Sequence, residues 1–568
     1  MRLLTHPLAC VLVAFVIQTP GQPAPPQTGS ASLKARVVAA DTGSPVRRAS
    51  IRVDSQGFSW IVTTDDEGRF VAPELPAGRY TIRVTRPGFL TWLFGRAPAG
   101  SMSRVEPIEL RDGQALDRGD LRLPRGGVIT GRILDDSGDP VSDIDVRALR
   151  LNYLTPGEPR LDFVRHATTN DLGEYRIFGL PPGRYFVGIG LSVQEAAERT
   201  DQGSPTTRIV VSSRGVAPQF HPGTAVATDA TPVIVEPGGT AMGVDIRQTS
   251  VPLATISGTV TNARGSPATG VIVMLNPARA DGVLFTLMAM VEPQPDGRFH
   301  FVNIPPGDYR VDVVPKARLE AIGQSGTTAV PRDEREEIAS VPVTVAGQNI
   351  DGLAVRTARG FTVEGRLRVE GAASLPSGST VMVTAISATR RQGMSGAFFG
   401  GVGPVEADGR FLLRGVAATL IIRVSGIPEA WALKAVVVNG VDVTDGGLEV
   451  RSDVRSVDIT VTPTPSRVSG TVTDSSGALI SDYAAVVVFS SDNRRWTTLW
   501  TRYVKRERQV GGTFTITGLP PGDYFAAAID SLEPDWASPS QLEALRRDAR
   551  PFTIADGEAK TLTLVRKR

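Results

Sequence analysis

Between Arg494 and Gln509 the sequence reads RRWTTLWTRYVKRERQ, which brings Trp496, Trp500 and Tyr503 together. Trp536 follows in a later stretch, so three of the chain's six tryptophans fall in its last hundred residues or so. Aromatic faces with hydrogen-bonding groups beside them suit sugars, whose rings stack while their hydroxyls find polar partners. The same residues also suit packing against a neighbouring element. Burial decides between these readings: exposed, coplanar rings favour a glycan, buried rings favour structure.

Other reactive groups are sparse. The histidines are His6, His166, His221 and His300. None sits in an HxxE or HExxH pattern, so a zinc peptidase centre has no ligands. No GxSxG elbow or GxxxxGK[ST] phosphate loop occurs. His300 directly follows a Gly-aromatic pair, His166 lies in the apolar run before another, and His221 sits in the loop FHPGT. TTDDEGRF (Asp65, Asp66, Glu67) and TTNDLGEY (Asn170, Asp171) gather oxygen ligands that suit a hard cation. Asp and Asn before Gly are equally what a tight turn requires, and each loop has few carboxylates. The expectation is therefore no catalytic residue, no metal and no cofactor.

The elements that carry these residues repeat. Gly-aromatic pairs end at Phe70, Tyr175, Phe299, Phe411 and Phe514. Ten residues after four of them comes the tyrosine of LPAGRY, LPPGRY, IPPGDY or LPPGDY: Tyr80, Tyr185, Tyr309 and Tyr524. At the fourth copy this offset lands on Ile421, in GVAATLI, where the turn chemistry is gone. Each unit opens alike, with ARVVAADTGSP near Ala35, then GRILDDSGDP at Gly131, GTVTNARGSP at Gly258, GRLRVEG at Gly365 and GTVTDSSGAL at Gly470. The period of about 105–125 residues exceeds that of solenoid repeats, so these are whole domains in series. Alternating runs such as YTIRV and YRVDV, bounded by Gly, Pro and Asp, predict half-buried strands of a sandwich. The proline presets φ for the turn and the glycine supplies a positive one. The tyrosine ring then re-enters the core, with its hydroxyl available to the turn backbone. Asn439-Gly440 predicts a type I′ hairpin. SPSQLEALRRDA (Ser538–Ala549) is the best helical candidate, capped by Ser538 or Ser540.

Composition bounds the rest. The chain has 568 residues, 41% hydrophobic and 21% charged, with a net charge of +2. Such a chain is globular and multi-domain, without the basic stripe that nucleic acid requires. Arg2 followed by an apolar run from Leu8 to Ile17 reads as a secretory signal, with cleavage near Ala24. That run is too short to span a bilayer. The single cysteine, Cys10, lies inside it, too early for a lipoprotein signal, so the mature chain has no thiol and no disulfide.

The set G-x-[VIL] … G-x-P … G-[RET]-[FY]-x4-[LI]-P-P-G-x-Y resembles the carboxypeptidase regulatory-like domain. That domain is a transthyretin-like β-sandwich with relatives among starch-binding-like and Cna-B-type domains. The resemblance fits four units well and the fourth in part. It implies an accessory or scaffold role without catalytic residues, and its starch-binding-like relatives imply weak carbohydrate binding. Cna-B domains often crosslink a strand lysine to an asparagine, with help from an acid after the turn tyrosine. Here Val84 stands at the acid's place, and Lys34 is the one first-strand lysine, so no isopeptide bond is expected.

The resulting expectation is an all-β protein. A signal peptide (1–24) and flexible linker (25–30) precede five tandem transthyretin-like (carboxypeptidase regulatory-like) β-sandwich domains at 31–123, 125–248, 251–357, 359–463 (divergent) and 465–568. It is expected to be exported (periplasmic, outer-envelope-associated or secreted) and non-enzymatic, a binding module or envelope scaffold. Its partners would be a polysaccharide, held by Trp496, Trp500, Tyr503 and Trp536, or other envelope or extracellular proteins. The mature chain would have no membrane span. The alternatives are a purely structural, adhesin-like stalk with protein partners, and an enzyme with an unrecognised site.

Overall fold

The computed structural model describes residues 29–567 apart from 56–57, 94–107, 191–194, 200–204, 210–213, 226–228, 279–288, 326–335, 372–374, 376–379, 389–399, 481–484, 499, 509–510 and 531–532. The expected signal, with His6 and Cys10, lies outside the described residues. These residues fall into two compact units. The first runs to Leu123 without Gly88–Leu90; the second holds those three residues and the chain from Pro124 onward.

In the first unit the strand Ala31–Ala39 pairs antiparallel with Arg69–Leu75 and parallel with Ala115–Leu123. A second sheet runs Phe58–Thr63, Ser50–Ser55, Gly78–Thr85, Trp92–Leu93, with Ile108–Leu110 also on Gly78–Thr85. Alternation places Leu33, Val37, Ile51, Val53, Phe70, Tyr80 and Ile82 in the core.

The second unit repeats this pairing four times. The first strands are Gly127–Leu134, Ala254–Thr261, Phe361–Val369 and Arg467–Thr473. Each pairs antiparallel with the strand holding the Gly-aromatic pair's ring and parallel with a late strand. Separate apolar cores lie in the segments 254–355, 363–461 and 468–564, and a further one in 129–246. In the last segment the strand Ala559–Lys567 also pairs with Gly522–Ile529, so both sheets join along one path.

The opening glycine now has a cause. Gly131, Gly258, Gly365 and Gly470 each stand across from the aromatic of the Gly-aromatic pair. A Cβ at these positions would come within 2.0 Å of the carbonyl of Val244, between two short parallel strands, and within 2.2, 2.1 and 1.7 Å of the parallel strand's carbonyls at Leu353, Val457 and Leu562. In these four repeats the missing Cβ lets ring and strand close over the backbone. The first copy has Ala35 at this place, opposite Phe70.

The tyrosine turn is equally specific. The hydroxyls of Tyr80, Tyr185, Tyr309 and Tyr524 donate to the carbonyls of Pro76, Pro181, Pro305 and Pro520, at 2.7, 2.5, 2.9 and 2.7 Å. Each side chain thus ties the turn that precedes it to the core beneath. The expected positive φ holds for Gly183 and Gly522 but not for Gly78 and Gly307. The fourth copy corrects the register assigned above: Ala418 pairs with Val450 as Gly78 pairs with Leu110. Its turn is one residue shorter, so Leu420 rather than Ile421 takes the tyrosine's place in the core. A one-residue slip exchanges the faces of a strand.

Asn439 and Gly440 both have positive φ, 51° and 80°, between the paired strands Ala432–Val438 and Val441–Asp442, as a type I′ hairpin demands. The expected helix runs Pro539–Arg546, with Ser538 Oγ accepting from Gln541 N at 3.3 Å. A second helix, Lys316–Ser325, is one that sequence reading missed.

Candidate functional site: the aromatic segment of the last repeat

The segment begins where the strand Ala485–Ser490 ends. Asp492 caps the short 3-10 turn Asn493–Arg495 and returns the chain toward the sheet. Trp496 then folds under, donating Nε1–H to Ser490 O at 2.7 Å and meeting Phe489 edge-on at 5.6 Å. It is 2% exposed. Thr501 Oγ1 donates to Arg495 O at 2.8 Å and closes the loop.

Trp536 is 3% exposed, and its partner is distant in sequence. Its Nε1–H donates to Tyr153 O at 3.0 Å, while Tyr153 N–H donates to Pro534 O at 2.8 Å. The strand Asp145–Thr155 is thereby bonded at two points to the loop before the helix. Arg150 reinforces the contact through Glu533 at 2.7 Å. Tyr153, Phe489, Trp496, Trp536 and Leu542 share one apolar cluster. Neither Trp496 nor Trp536 presents an open ring face to a sugar. The repeats are also not simply strung in sequence order, because the fifth packs on the second.

Trp500 and Tyr503 are only half-buried, and they meet the fourth repeat through the Trp500 carbonyl and the Tyr503 hydroxyl. At their centre is Asp445. Arg502 grips this carboxylate with Nε at 3.0 Å and Nη2 at 2.7 Å, and Tyr503 donates to it at 3.2 Å. Arg423 approaches it at 3.6 Å and donates to the carbonyls of Trp500 and Thr444 at 2.7 and 2.8 Å. Burial alone would raise the Asp445 pKa, but the Arg502 bond and the Arg502 and Arg423 charges hold it below the usual carboxylate range. Burial lowers Arg423 to about 10. Burial, with the Arg502 charge, also lowers Lys505 to about 8; its ammonium donates to Thr517 O.

Beside this network lies a cleft of about 360 Å³ between the fourth and fifth repeats. Lys434, Asp445, Arg495, Arg502, Tyr503 and Asp556 are among its lining residues. Lys434 is held by Glu370 and by Asp556, the latter at 2.6 Å. Arg495 lies over the Tyr503 ring, 4.3 Å from its centre. The cleft offers fixed polar groups and one partly covered ring.

The remaining candidates are occupied locally. Asp65 Oδ1 accepts from the backbone of Glu67 and Arg69, at 3.1 and 2.6 Å, and Asn170 Oδ1 from Leu172 and Glu174, at 3.1 and 2.8 Å. Both thus serve as turn acceptors. No group of three or more potential metal ligands occurs among the described residues. His166 meets Asp145 at 2.6 Å, and His221 Nδ1 lies 2.7 Å from Asp245 O. Lys34 pairs with Asp117 at 3.2 Å. No helix among the described residues is long and apolar enough to cross a membrane. Sequence reading missed Asp445, Arg423 and Tyr153; Asp445 lay in a stretch that signalled only a hairpin.

No curated protein matches the chain in sequence. Among solved structures it is similar to a streptococcal ancillary pilin, with 11% identity and a TM-score of 0.22, over 58% of this chain and 99% of that one. It is also similar to the Bacillus anthracis TIE protein, with 11% identity and a TM-score of 0.14, over 78% and 74%. A third is GBS52, the minor pilin of Streptococcus agalactiae, with 14% identity and a TM-score of 0.19, over 39% and 97%. In sequence, residues 32–123, the first of the five repeats, match the carboxypeptidase regulatory-like domain family.

Proposed function

We propose that this chain is an exported, non-catalytic scaffold of five sandwich modules, divided at 31–123, 125–248, 251–357, 359–463 and 465–568, that serves protein partners. The observation that carries the reading is the Trp536–Tyr153 contact. The aromatic residues best suited to a ligand are instead spent on joining one module to another. Such joining fixes the relative placement of modules, which a scaffold needs and a flexible tether does not.

A second reading is supported by the cleft. Tyr503 lines it, and a saccharide stacked on this one partly covered ring, bonded to Asp445 and Arg495, would bind with dissociation constants on the order of 0.1–1 mM. One experiment separates the two. Soluble polysaccharides are titrated into the full chain, with tryptophan fluorescence as readout and Tyr503→Ala and Trp536→Ala as variants. The scaffold reading expects no saturable change in the wild type and increased protease cleavage near residue 534 in Trp536→Ala. Saturable binding abolished by Tyr503→Ala would establish the glycan reading in its place.

A further inference from the structure

In all five repeats the sheet that carries the turn tyrosine, or its leucine replacement, ends on the strand that precedes the Gly-aromatic pair. These edge strands are Phe58–Thr63, Glu158–Thr168, Ala289–Val291, Gly401–Pro404 and Val504–Arg508. An edge strand offers unpaired backbone groups to any other strand, and proteins guard such edges with charge, proline or shortness. Four of the five are guarded in this way. Glu158–Thr168 carries Glu158, Arg160, Asp162 and Arg165, and Val504–Arg508 carries four charges in five residues. The strand Ala289–Val291 has three residues, and Gly401–Pro404 has four, ending in proline. The strand Phe58–Thr63, FSWIVT, has six residues, no charge and no proline, and it pairs only with Ser50–Ser55 among the described residues. Among the described edge strands of five or more residues the other without charge is Thr513–Thr517, where the Lys505 ammonium occupies the Thr517 carbonyl.

We infer that Phe58–Thr63 is a pairing edge and that its occupant is a second copy of this chain, joined antiparallel about a two-fold axis. Such an axis, perpendicular to the sheet, keeps each residue opposite one on the same face, so the interface is self-complementary. Centred on Ile61, it sets Trp60 against Val62 on the half-buried face and Ser59 against Thr63 on the exposed face. Ile61 itself is 64% exposed, and an identical residue across the axis would cover it. Charge permits the match. The nearest charges on the outer face, Arg52 and Asp54 of the adjoining strand, pair with each other at 2.8 Å, so the two-fold brings a neutral margin onto a neutral margin. Arg83 lies one strand further from the edge.

The test uses the full chain in sedimentation velocity over about 1–100 μM, a range in which strand-pairing dimers of micromolar affinity populate. Expected are a wild-type dimer, a rise of at least about tenfold in its dissociation constant on Ile61→Lys or Ser59→Lys, and no change on Phe163→Lys at the guarded edge. A second readout does not depend on affinity. With Cys10→Ser, the variant Ile61→Cys has a single thiol, and facing cysteines of an antiparallel pair are close enough for a disulfide. Oxidation should link Ile61→Cys chains in pairs far faster than Phe163→Cys chains. A monomeric wild type at 100 μM, a dimer indifferent to Ile61→Lys, or equal crosslinking rates would each overturn the inference.

Discussion

Replacing Asp445 by asparagine tests the junction between the fourth and fifth repeats. The substitution keeps the shape and removes the charge, leaving two guanidinium groups whose side chains are 13% and 16% exposed facing each other without a counter-ion. Removing one partner from a fully buried pair costs about 3–5 kcal/mol. Asp445 is 25% exposed and Arg502 keeps its bonds to the carbonyls of Leu433 and Lys434, so about 2–3 kcal/mol is the expected loss. For a two-repeat block of about 200 residues this lowers the melting temperature by roughly 5–10 °C. Differential scanning calorimetry of the full chain reads it, with Asp408→Asn, an exposed pair to Arg410, as control. Because the folded Asp445 pKa is depressed, its contribution is present above the unfolded value of about 3.9 and is lost as pH falls through the folded one. Variant and wild type should therefore converge in acid. A shift no larger than that of Asp408→Asn at neutral pH would refute the assignment of Asp445 as the junction's counter-ion.

Other outcomes follow from the same geometry. Tyr524→Phe should cost about 1–2 kcal/mol in urea unfolding, because the Pro520 carbonyl loses its buried donor while the ring packing stays. Gly470→Ala should destabilise the last repeat by at least about 2 kcal/mol, since its Cβ would overlap the Leu562 carbonyl, whereas Ala35→Gly should cost less than about 1 kcal/mol. Lys505 has a folded pKa of about 8 against about 10.4 unfolded, so its desolvation penalty is full below pH 8 and fades as pH rises toward 10. Stability should therefore climb by about 2–3 kcal/mol over that window in the wild type and stay flat in Lys505→Met. Above pH 10 the buried turn tyrosines oppose this. Burial raises Tyr309 to about 12, and the stability it lends is lost as pH approaches that value.

What the sequence discloses is what short-range chemistry controls. The proline carbonyl and the tyrosine hydroxyl are four residues apart, Asn439 and Gly440 are adjacent, and Ser538 caps a helix that starts at the next residue. Each of these is legible because cause and effect share one window. Tyr153 and Trp536 are 383 residues apart, and nothing in either neighbourhood announces the other. Asp445 looked like hairpin composition because its partners Arg423 and Arg502 belong to different strands and loops. The fourth repeat's register misled for a different reason. Deleting one turn residue leaves the apolar string TLII intact, and only strand pairing shows that Leu420 faces the core.

The parallel pairing of first and last strands bears on mechanics. In the fifth repeat, seven residue pairs align from Arg467 with Ala559 to Thr473 with Val565, so the chain enters at one end of the ladder and leaves at the other. Tension applied through the two ends slides these strands past each other along their length. The hydrogen bonds are then loaded together, not one after another as when a hairpin is unzipped. The same parallel pairing recurs in the other four repeats. A tethered chain pulled at single-molecule resolution should accordingly yield in a few abrupt steps at high force, each the length of one repeat, with little gradual stretching between them.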